Sequence, residues 1–541
     1  MGKFNQWLFE GCLMNTKIRD YIFLILCATI VFNEIPNSIR LNFLGGEYSN
    51  LFAVYPLLMG IVFSGIWQYK DSNIFIAKDK MSYYGIIYIL VLSISLVHGL
   101  IIYPYYTDIL NGPISQIQKL PLLLHFFSKL GINLNVSQLL IGWMGIRFFK
   151  TIILDLIYTF GGSYLIFCWY FKDKKKAFNI FNKGIYISMY IFFLYGVVEC
   201  LYLSHFDSAT EILKLINPFI HTIEVSHGWW PKYLSPNQFR SVFPEPSHIG
   251  NYMAIIFPFL TSDILYGDTT NQTCIKNYIL LFLSTFSIFL TNARTPNSML
   301  LGMTILLFLF ILSHFQKNIL KKFIFISCII GISFSCSLGF MNLARNHRKA
   351  IVNVNVQANS FIEDNIGTLA SDSKRSNGAR YSMLRYHIRL GISHPILGVG
   401  KGLHAAYASD YLTEHEKKYG EVKLWLDDQK KDGILRSNLG ALNEYIGRFS
   451  DTGIVGLSVF LFPFMWIMVK LWSKIQYCYH NNSQDDFKKS FFLLYSLISC
   501  LASGLNILIS VVYGVWIILG LSYLWVYGGK NITKNITKNI N

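Results

Sequence analysis

One short stretch of the 541-residue chain combines an arginine, a carboxylate and a predicted helix start. Residues 240–251 read Arg-Ser-Val-Phe-Pro-Glu-Pro-Ser-His-Ile-Gly-Asn. Because Ser247 is a favourable N-cap, a helix N-terminus that attracts phosphate should lie beside Arg240. Two prolines restrain Glu245, and the nearby positive charge favours its ionised form. We therefore predict Glu245 as the catalytic base and Arg240 as a catalytic arginine, with His248 either binding substrate or making a structural hydrogen bond.

The alternative for this stretch is structural. The carboxylate would then only complement the helix dipole, and the arginine would lie among lipid headgroups.

A second arginine precedes another predicted helix. In the sequence Asn-Ala-Arg-Thr-Pro-Asn, residues 292–297, Pro296 suits a first helical turn. Arg294 would then point outward at a second helix N-terminus, where it could bind the phosphate of a substrate. The alternative is an interfacial anchor whose guanidinium reaches the lipid headgroups.

Three further arginines fall in one polar run with helical spacing, residues 379–391. Arg385 and Arg389 are four apart and share a face, whereas His387 follows Arg380 by seven and shares its face. The planar guanidinium binds two phosphate oxygens at once, so these arginines suit a diphosphate. Each such charge-assisted hydrogen bond contributes about 1.5–3 kcal/mol. The alternative is a solvated helix whose arginines pair with neighbouring acids.

Membrane spans are the elements that would position these side chains. The chain is 53% hydrophobic and 14% charged, whereas soluble domains are about 25% charged. Repeated apolar runs predict one all-α polytopic membrane domain over residues 1–541, with about twelve transmembrane helices. The predicted spans are residues 20–34, 50–68, 82–102, 147–170, 183–203, 247–265, 277–292, 297–314, 323–340, 453–472, 490–508 and 511–528.

The distribution of lysines predicts the orientation of these spans. A formal charge of +17 could suggest nucleic acid, but most lysine clusters fall in short links between apolar runs. Such clusters mark cytoplasmic loops, so we expect no nucleic acid and place both termini in the cytoplasm. The first apolar run, Tyr21–Phe32, lacks a small-residue cleavage site after it and is predicted to be an uncleaved anchor.

The longest polar segments should lie on the outer side. Residues 341–452, between spans nine and ten, form a loop long enough to fold helices of its own, and residues 204–246 form a second outer loop. Long loops on a rigid scaffold are where binding and catalysis usually occur. Residues 529–541 repeat a short polar unit and are predicted to be a disordered cytoplasmic tail. The sequence contains no metal-ligand spacing, and its cysteines do not suggest a disulfide framework.

Four motifs in this region resemble the O-antigen ligase/polymerase superfamily of bacterial envelope enzymes. They are Arg380, a His-Pro-Ile-Leu-Gly-Val-Gly turn at 394–400, Asn-Glu-Tyr at 443–445, and Asp-Thr-Gly-Ile-Val-Gly-Leu at 451–457, where a span opens. The resemblance implies glycosyl transfer on the outer face of the bacterial cytoplasmic (inner) membrane, without a metal or other cofactor. A sugar chain would leave its polyprenyl diphosphate carrier and join an acceptor hydroxyl.

The resemblance also implies roles for residues and partners. Arg380 would be the leading diphosphate ligand, Asn443 and Glu444 would bind substrate, and a base such as Glu245 would activate the acceptor. The implied partners are the polyprenyl diphosphate-linked oligosaccharide, membrane lipid and, as a candidate, a chain-length regulator protein.

One departure from the family pattern separates two functions. Ligases typically carry a His before the Asn that matches Asn443, and Leu442 occupies that position here. This favours a polymerase, which joins repeat units into O-antigen or a related surface polysaccharide. A ligase that moves finished glycan onto lipid A-core is the alternative within the family. A twelve-span transporter is the alternative of another class, but its binding residues would be expected at mid-membrane rather than at outer helix starts.

Overall fold

The computed structural model describes most of the chain. Its described residues are 16–36, 39–41, 44, 47–70, 80–221, 234–235, 238–267, 271–313, 317–346, 375–437 and 439–529. Residues 222–233 of the second outer loop, residues 347–374 of the largest loop and the predicted tail from residue 530 onward lie outside this part of the chain. Within the described residues the regular elements are helices, and no strand is formed, so the all-α prediction is confirmed.

Nine helices are described before residue 221. They are α1 (16–28), α2 (Val54–Lys70), α3 (Lys80–Ile102), α4 (Tyr106–Asn111), α5 (Leu120–Lys129), α6 (Val136–Leu156), α7 (Gly162–Tyr170), α8 (Lys174–Leu203) and α9 (Asp207–Ile220). A π-helical turn, Ile157–Gly161, connects α6 to α7, so the two form one helical rod.

Ten more helices follow in the described residues from 238 onward. They are α10 (His248–Tyr266), α11 (Asn271–Leu290), α12 (Arg294–Ser313), α13 (Lys317–Asn346), α14 (Arg375–Ser393), α15 (Ala408–Tyr411), α16 (Gly420–Asp432), α17 (Glu444–His480), α18 (Gln484–Ser503) and α19 (Tyr513–Tyr527). Short 3₁₀ turns lie between several of them, including His404–Tyr407 before α15.

Seven helices in the described part of the chain are long and apolar enough to cross a membrane. They are α3, the α6–α7 rod, α8, α10, α12, α13 and α17. Shorter apolar helices lie at Val54–Ile66, Ile275–Leu290 and Tyr513–Tyr527. The chain is therefore a helical membrane protein, as its composition predicts, whereas the count of twelve spans and the sides on which the loops lie remain predictions.

Helix α10 lies at the centre of the bundle. Its side chains from Ile249 to Leu265 are almost all buried, because α11, α12, α13 and α18 pack around it. Helix α3 is peripheral by contrast, and it exposes apolar side chains such as Ile87 and Ile94. A helix that is apolar on all sides belongs inside a bundle, and an exposed apolar face suits contact with lipid.

The polar region after α13 forms helices too. Helix α14 packs against α16 and α17, so the arginine-bearing run is fixed to the start of a membrane helix. The predicted helical run at 379–391 lies entirely within α14, Arg375–Ser393, and that prediction is confirmed.

Candidate active site

Two motifs that are distant in sequence form one backbone junction. The turn at 394–400 packs against a break in α17, where Gly453 has a φ of 63°. Four backbone hydrogen bonds join them, from Val399 N to Ser450 O (3.0 Å), from Gly400 N to Asp451 O (2.8 Å), from Ile454 N to Pro395 O (2.8 Å) and from Val455 N to Ile396 O (3.3 Å).

Glycine is required at this break in α17. A Cβ atom added to Gly453 would lie 2.1 Å from the carbonyl oxygen of Ile396. The positive φ and this close approach both exclude a side chain. The junction therefore fixes the position of α14, which precedes the turn, relative to the start of α17.

A cavity of about 640 Å³ lies next to this junction. It is lined by the first turns of α12 and α17 and by one face of α14, on which Arg380, Leu384 and His387 follow helical spacing. Two helix N-termini at one cavity make it favourable for an anion. The polar lining residues are Gln238, Ser247, Asn292, Arg294, Thr295, Ser298, Arg380, Tyr381, His387, Asn443 and Asn506.

Two of the predicted substrate arginines share this cavity. Arg294 begins α12 and Arg380 lies in α14, and both line the cavity. Among the described residues, no carboxylate forms an ion pair with Arg380. The charge of Arg380 acts on His248 at the start of α10, so this guanidinium lies near the 240–251 stretch as well.

Arg240 does not line the cavity. It is 2% exposed, and its guanidinium donates to the carbonyl oxygen of Pro244 at 3.4 Å. The backbone N–H groups of Arg240 and Ser241 donate to Glu199 Oε2 at 3.1 Å and 2.6 Å. A carboxylate buried in the bundle needs such donors and a nearby positive charge. The structure therefore places Arg240 in a buried cluster with Glu199 rather than with Arg294 and Arg380.

The other two predicted arginines of α14 also lie off the cavity. Arg385 is exposed. Arg389 pairs with the buried carboxylate of Glu416, and its Nε donates to the carbonyl oxygen of Tyr411 at 2.9 Å. This pairing corresponds to the structural alternative for the segment, in which arginines of the helix find acidic partners.

Glu245 lies next to the cavity but not on its lining. Ser247 occupies the N-cap position of α10, yet its side chain makes no cap hydrogen bond, so the predicted capping role is wrong. The residue has helical dihedral angles, and its Oγ donates to Glu245 Oε2 at 2.5 Å instead. His248 Nδ1 lies 2.7 Å from Asn33 Nδ2. Glu245 thus touches the cavity through Ser247.

Asn443 caps α17. Its side-chain oxygen accepts from the N–H groups of Tyr445 and Ile446, both at 3.0 Å, and its Nδ2 donates to Leu505 O at 3.0 Å. Glu444 is 1% exposed and pairs with Arg448, and it accepts from Ser510 N at 3.0 Å. Asn443 therefore shapes the cavity wall, whereas Glu444 is directed into the bundle and is absent from the lining.

A buried ion cluster adjoins the start of α17 through Arg448, which pairs with both Glu444 and Asp155. Asp155 on α6 is fully buried, and its Oδ1 lies 2.8 Å from Lys401 Nζ and 3.5 Å from an Arg448 nitrogen. Tyr48 and Tyr88 each donate a hydroxyl to this carboxylate at 2.6 Å. Lys401 directly follows the 394–400 turn, and it serves here as an ion-pair partner of Asp155. The cluster connects α6 to the 394–400 turn and to α17.

His387 is a lining residue to which the motifs assigned no role. It is 1% exposed, its Nδ1 lies 2.7 Å from Ser450 Oγ, and its Nε2 has no hydrogen-bond partner in the described part of the protein. The only sequence signal was its spacing of seven from Arg380, which puts both side chains on one face of the helix. Burial holds the pKa of His387 well below its ordinary value, and the charge of nearby His404 lowers it further.

No group of three histidine, cysteine or acidic side chains in the described residues is placed to hold a metal ion. The polar groups of the cavity are instead guanidinium, amide, hydroxyl and imidazole groups. These groups suit an oxygen-rich anion attached to a sugar.

One comparison with known protein families supports the resemblance that the motifs indicate. No curated protein matches the chain significantly. A family model described as O-antigen ligase matches residues 279–461, a range that contains Arg294, Arg380 and His387. Residues 279–461 of this membrane protein are therefore similar to the O-antigen ligase family, which is consistent with the resemblance to the O-antigen ligase/polymerase superfamily.

Proposed function

We propose that the chain transfers an oligosaccharide from a polyprenyl diphosphate carrier to an acceptor sugar hydroxyl. The observation that carries this proposal is the shared position of Arg294 and Arg380 on one cavity, together with the first turns of α12 and α17. Its volume of about 640 Å³ falls in the range of small-molecule sites, about 300–1,000 Å³. A diphosphate with one or two sugar rings is a ligand of this chemistry and size.

The proposed chemistry follows from the charge of the leaving group. As the bond between the sugar and the diphosphate breaks, negative charge grows on the departing phosphate oxygens. Arg294 and Arg380, with the N–H groups of the two helix starts, are the donors that would stabilise this charge. The arginines would therefore contribute more to the transition state than to the bound donor.

Within this family, a polymerase is the function we favour. Leu442 lines the cavity at the position where ligases typically carry a histidine. A polymerase would join repeat units into O-antigen or a related polysaccharide on the outer face of the inner membrane, and a chain-length regulator protein is its candidate partner. The ligase is the second candidate, because the matched family model is described as O-antigen ligase.

Deletion of the gene in the source bacterium tests both candidates. If the chain is a polymerase, surface glycan analysed on a gel should collapse to a band that carries a single repeat. If it is a ligase, the core should be bare and polymer should remain on its lipid carrier. An unchanged ladder would contradict both functions. Complementation with Arg380→Ala should leave the deletion pattern in place, and complementation with Arg385→Ala should restore the ladder.

A further inference from the structure

His387 presents an unpartnered nitrogen inside a buried site. Its side chain is 1% exposed and lines the cavity, and Nε2 has no hydrogen-bond partner among the described residues. Buried polar atoms in folded proteins are almost always hydrogen-bonded, and an exception at a cavity wall points to a ligand group. The Nε2 atom itself is closed to solvent, so substrate binding would have to open the cavity wall beside His387 before a substrate group could complete the hydrogen bonding of Nε2.

The hydrogen bonds of Ser450, on the other side of the ring, favour one tautomer of His387. The hydroxyl of Ser450 donates its single hydrogen to the carbonyl oxygen of Gly447 at 2.9 Å. Its oxygen is then an acceptor toward His387 Nδ1, which lies 2.7 Å away. In this arrangement the proton of the neutral imidazole is on Nδ1, and Nε2 carries a free lone pair.

Burial keeps this imidazole neutral before substrate binds, and positive charge on nearby His404 acts in the same direction. The charged or titratable groups around His387 are His404, which lies 2.7 Å from the carboxylate of Asp451, and the two cavity arginines, Arg380 and Arg294.

We propose that His387 Nε2 is the general base that removes the proton from the acceptor hydroxyl, an inference that rests on the proposed glycosyl transfer. The acceptor oxygen forms a bond to the anomeric carbon of the donor sugar while the bond from that carbon to the diphosphate oxygen breaks. The bonding electron pair leaves with the polyprenyl diphosphate, whose charge Arg294 and Arg380 offset. The proton moves from the hydroxyl to Nε2 and later to solvent, which restores the neutral ring. Ser450 is the positioning residue that holds the reactive tautomer.

The geometry favours His387 over Glu245 for this role. Glu245 is absent from the cavity lining, and its Oε2 already accepts a hydrogen bond from Ser247. His387 and Leu442 line the same cavity from different elements. The cavity therefore has an imidazole on α14, although residue 442 is apolar.

The test uses the full chain, purified in lipid nanodiscs, with the lipid-linked oligosaccharide that accumulates in a gene-deletion strain as the donor. Donor binding and sugar transfer are measured separately for His387→Gln, Ser450→Ala and the control His415→Gln, whose side chain is exposed and away from the cavity. We expect His387→Gln to bind the donor normally and to transfer about 10²–10⁴-fold more slowly. Ser450→Ala should slow transfer about tenfold, because the wrong tautomer becomes available, and His415→Gln should match the wild type.

Two further measurements distinguish a catalytic role of His387 from a structural one. Wild-type transfer should fall as the pH drops toward the lowered pKa of His387, because the protonated ring cannot accept a proton. Added imidazole should partly restore transfer in His387→Ala, since the vacated position adjoins the cavity.

These measurements distinguish failure of the assignment of His387 from failure of the proposed function. Transfer by His387→Gln at the wild-type rate, or loss of donor binding in that variant, would overturn the assignment of His387 while leaving the proposed function intact. If His387→Gln does not fold, a wild-type rate and pH profile in Ser450→Ala would overturn the assignment. A wild-type chain that neither binds nor transfers the donor would overturn the proposed function, and the role of His387 with it.

Discussion

The Nδ1 atom of His387 on α14 lies 2.7 Å from the Oγ atom of Ser450 on α17. This hydrogen bond connects the helix that carries Arg380 to the membrane helix whose first turn closes the cavity. It lies beside the backbone junction between the 394–400 turn and the break in α17. The imidazole is buried, and its burial favours the neutral form by lowering its pKa.

The buried imidazole should make stability depend on pH. The folded-state pKa of His387 is lowered from its ordinary value of 6.5, so the unfolded chain binds a proton at a pH where the folded chain does not. The stabilisation is complete above pH 6.5 and is lost as the pH falls toward the folded pKa, by at most about 1.4 kcal/mol per pH unit. Chemical unfolding between pH 7 and pH 5 should show this loss, and His387→Asn should show a smaller one.

The matched control for this measurement is His125→Asn. His125 is exposed on α5, so its replacement should leave the pH dependence of the wild type unchanged. The same pH dependence in wild type and His387→Asn would contradict a buried neutral imidazole at this position.

Gly453 should be essential for folding. Its φ of 63° and ψ of −170° lie in a region that is almost restricted to glycine, and a Cβ atom would meet Ile396 O at 2.1 Å. Gly453→Ala should therefore lower the free energy of unfolding by at least about 1–3 kcal/mol. Gly302 on α12 is the control, because a Cβ atom there meets no atom within 4 Å. Equal thermal stability of the two alanine variants would show that the junction is not tight.

Replacement of Asp155, the central carboxylate of the ion cluster, should lower the stability of the folded chain. Asp155→Asn leaves Lys401 and Arg448 without their shared partner inside the bundle. Breaking a buried ion pair from one side costs about 3–5 kcal/mol. Glu211→Gln is the comparison, since its pair with Lys214 is exposed and should contribute little. A melting temperature for Asp155→Asn equal to that of Glu211→Gln would contradict the structural role of the cluster.

The predicted orientation can be tested by cysteine labelling in a variant from which the native cysteines have been replaced. Lys430→Cys on α16 and Lys175→Cys on α8 both introduce an exposed thiol. If α16 is outside and the lysine cluster at 172–176 is cytoplasmic, a membrane-impermeant maleimide should label only Lys430→Cys in intact cells. Permeabilised cells should label both. The reverse pattern in intact cells would place the arginine cavity on the cytoplasmic side.

Local sequence signals predicted the helices of the site well. Pro296 in a first turn predicts the start of α12 at Arg294, and the spacing of apolar residues predicts the helix that carries Arg380. Both signals depend on neighbours within one or two turns. The sequence could therefore identify the arginine-bearing elements without any knowledge of the tertiary structure.

Long-range contacts determine the features of the site that the sequence did not predict. The burial of Arg240 depends on Glu199, and the pairing of Arg389 depends on Glu416, neither of which has a fixed spacing from its arginine. The role proposed for His387 depends on a serine in another helix. Capping by Ser247 was predicted wrongly because the residue has helical dihedral angles, whereas an N-cap residue usually has extended ones that turn its side-chain oxygen toward the free N–H groups.

A double-mutant cycle for donor binding tests the central claim, that Arg294 and Arg380 bind the same lipid-linked diphosphate. The affinity of the purified chain for polyprenyl diphosphate is measured for the wild type, Arg294→Ala, Arg380→Ala and the double variant, with Arg385→Ala as the control on the same helix. Each cavity variant should lose about 1.5–3 kcal/mol of binding free energy. The two losses should be coupled by about 0.5–3 kcal/mol, and the control should bind as the wild type does. Unchanged affinity in Arg294→Ala and Arg380→Ala, or losses that are strictly additive, would contradict a shared diphosphate site.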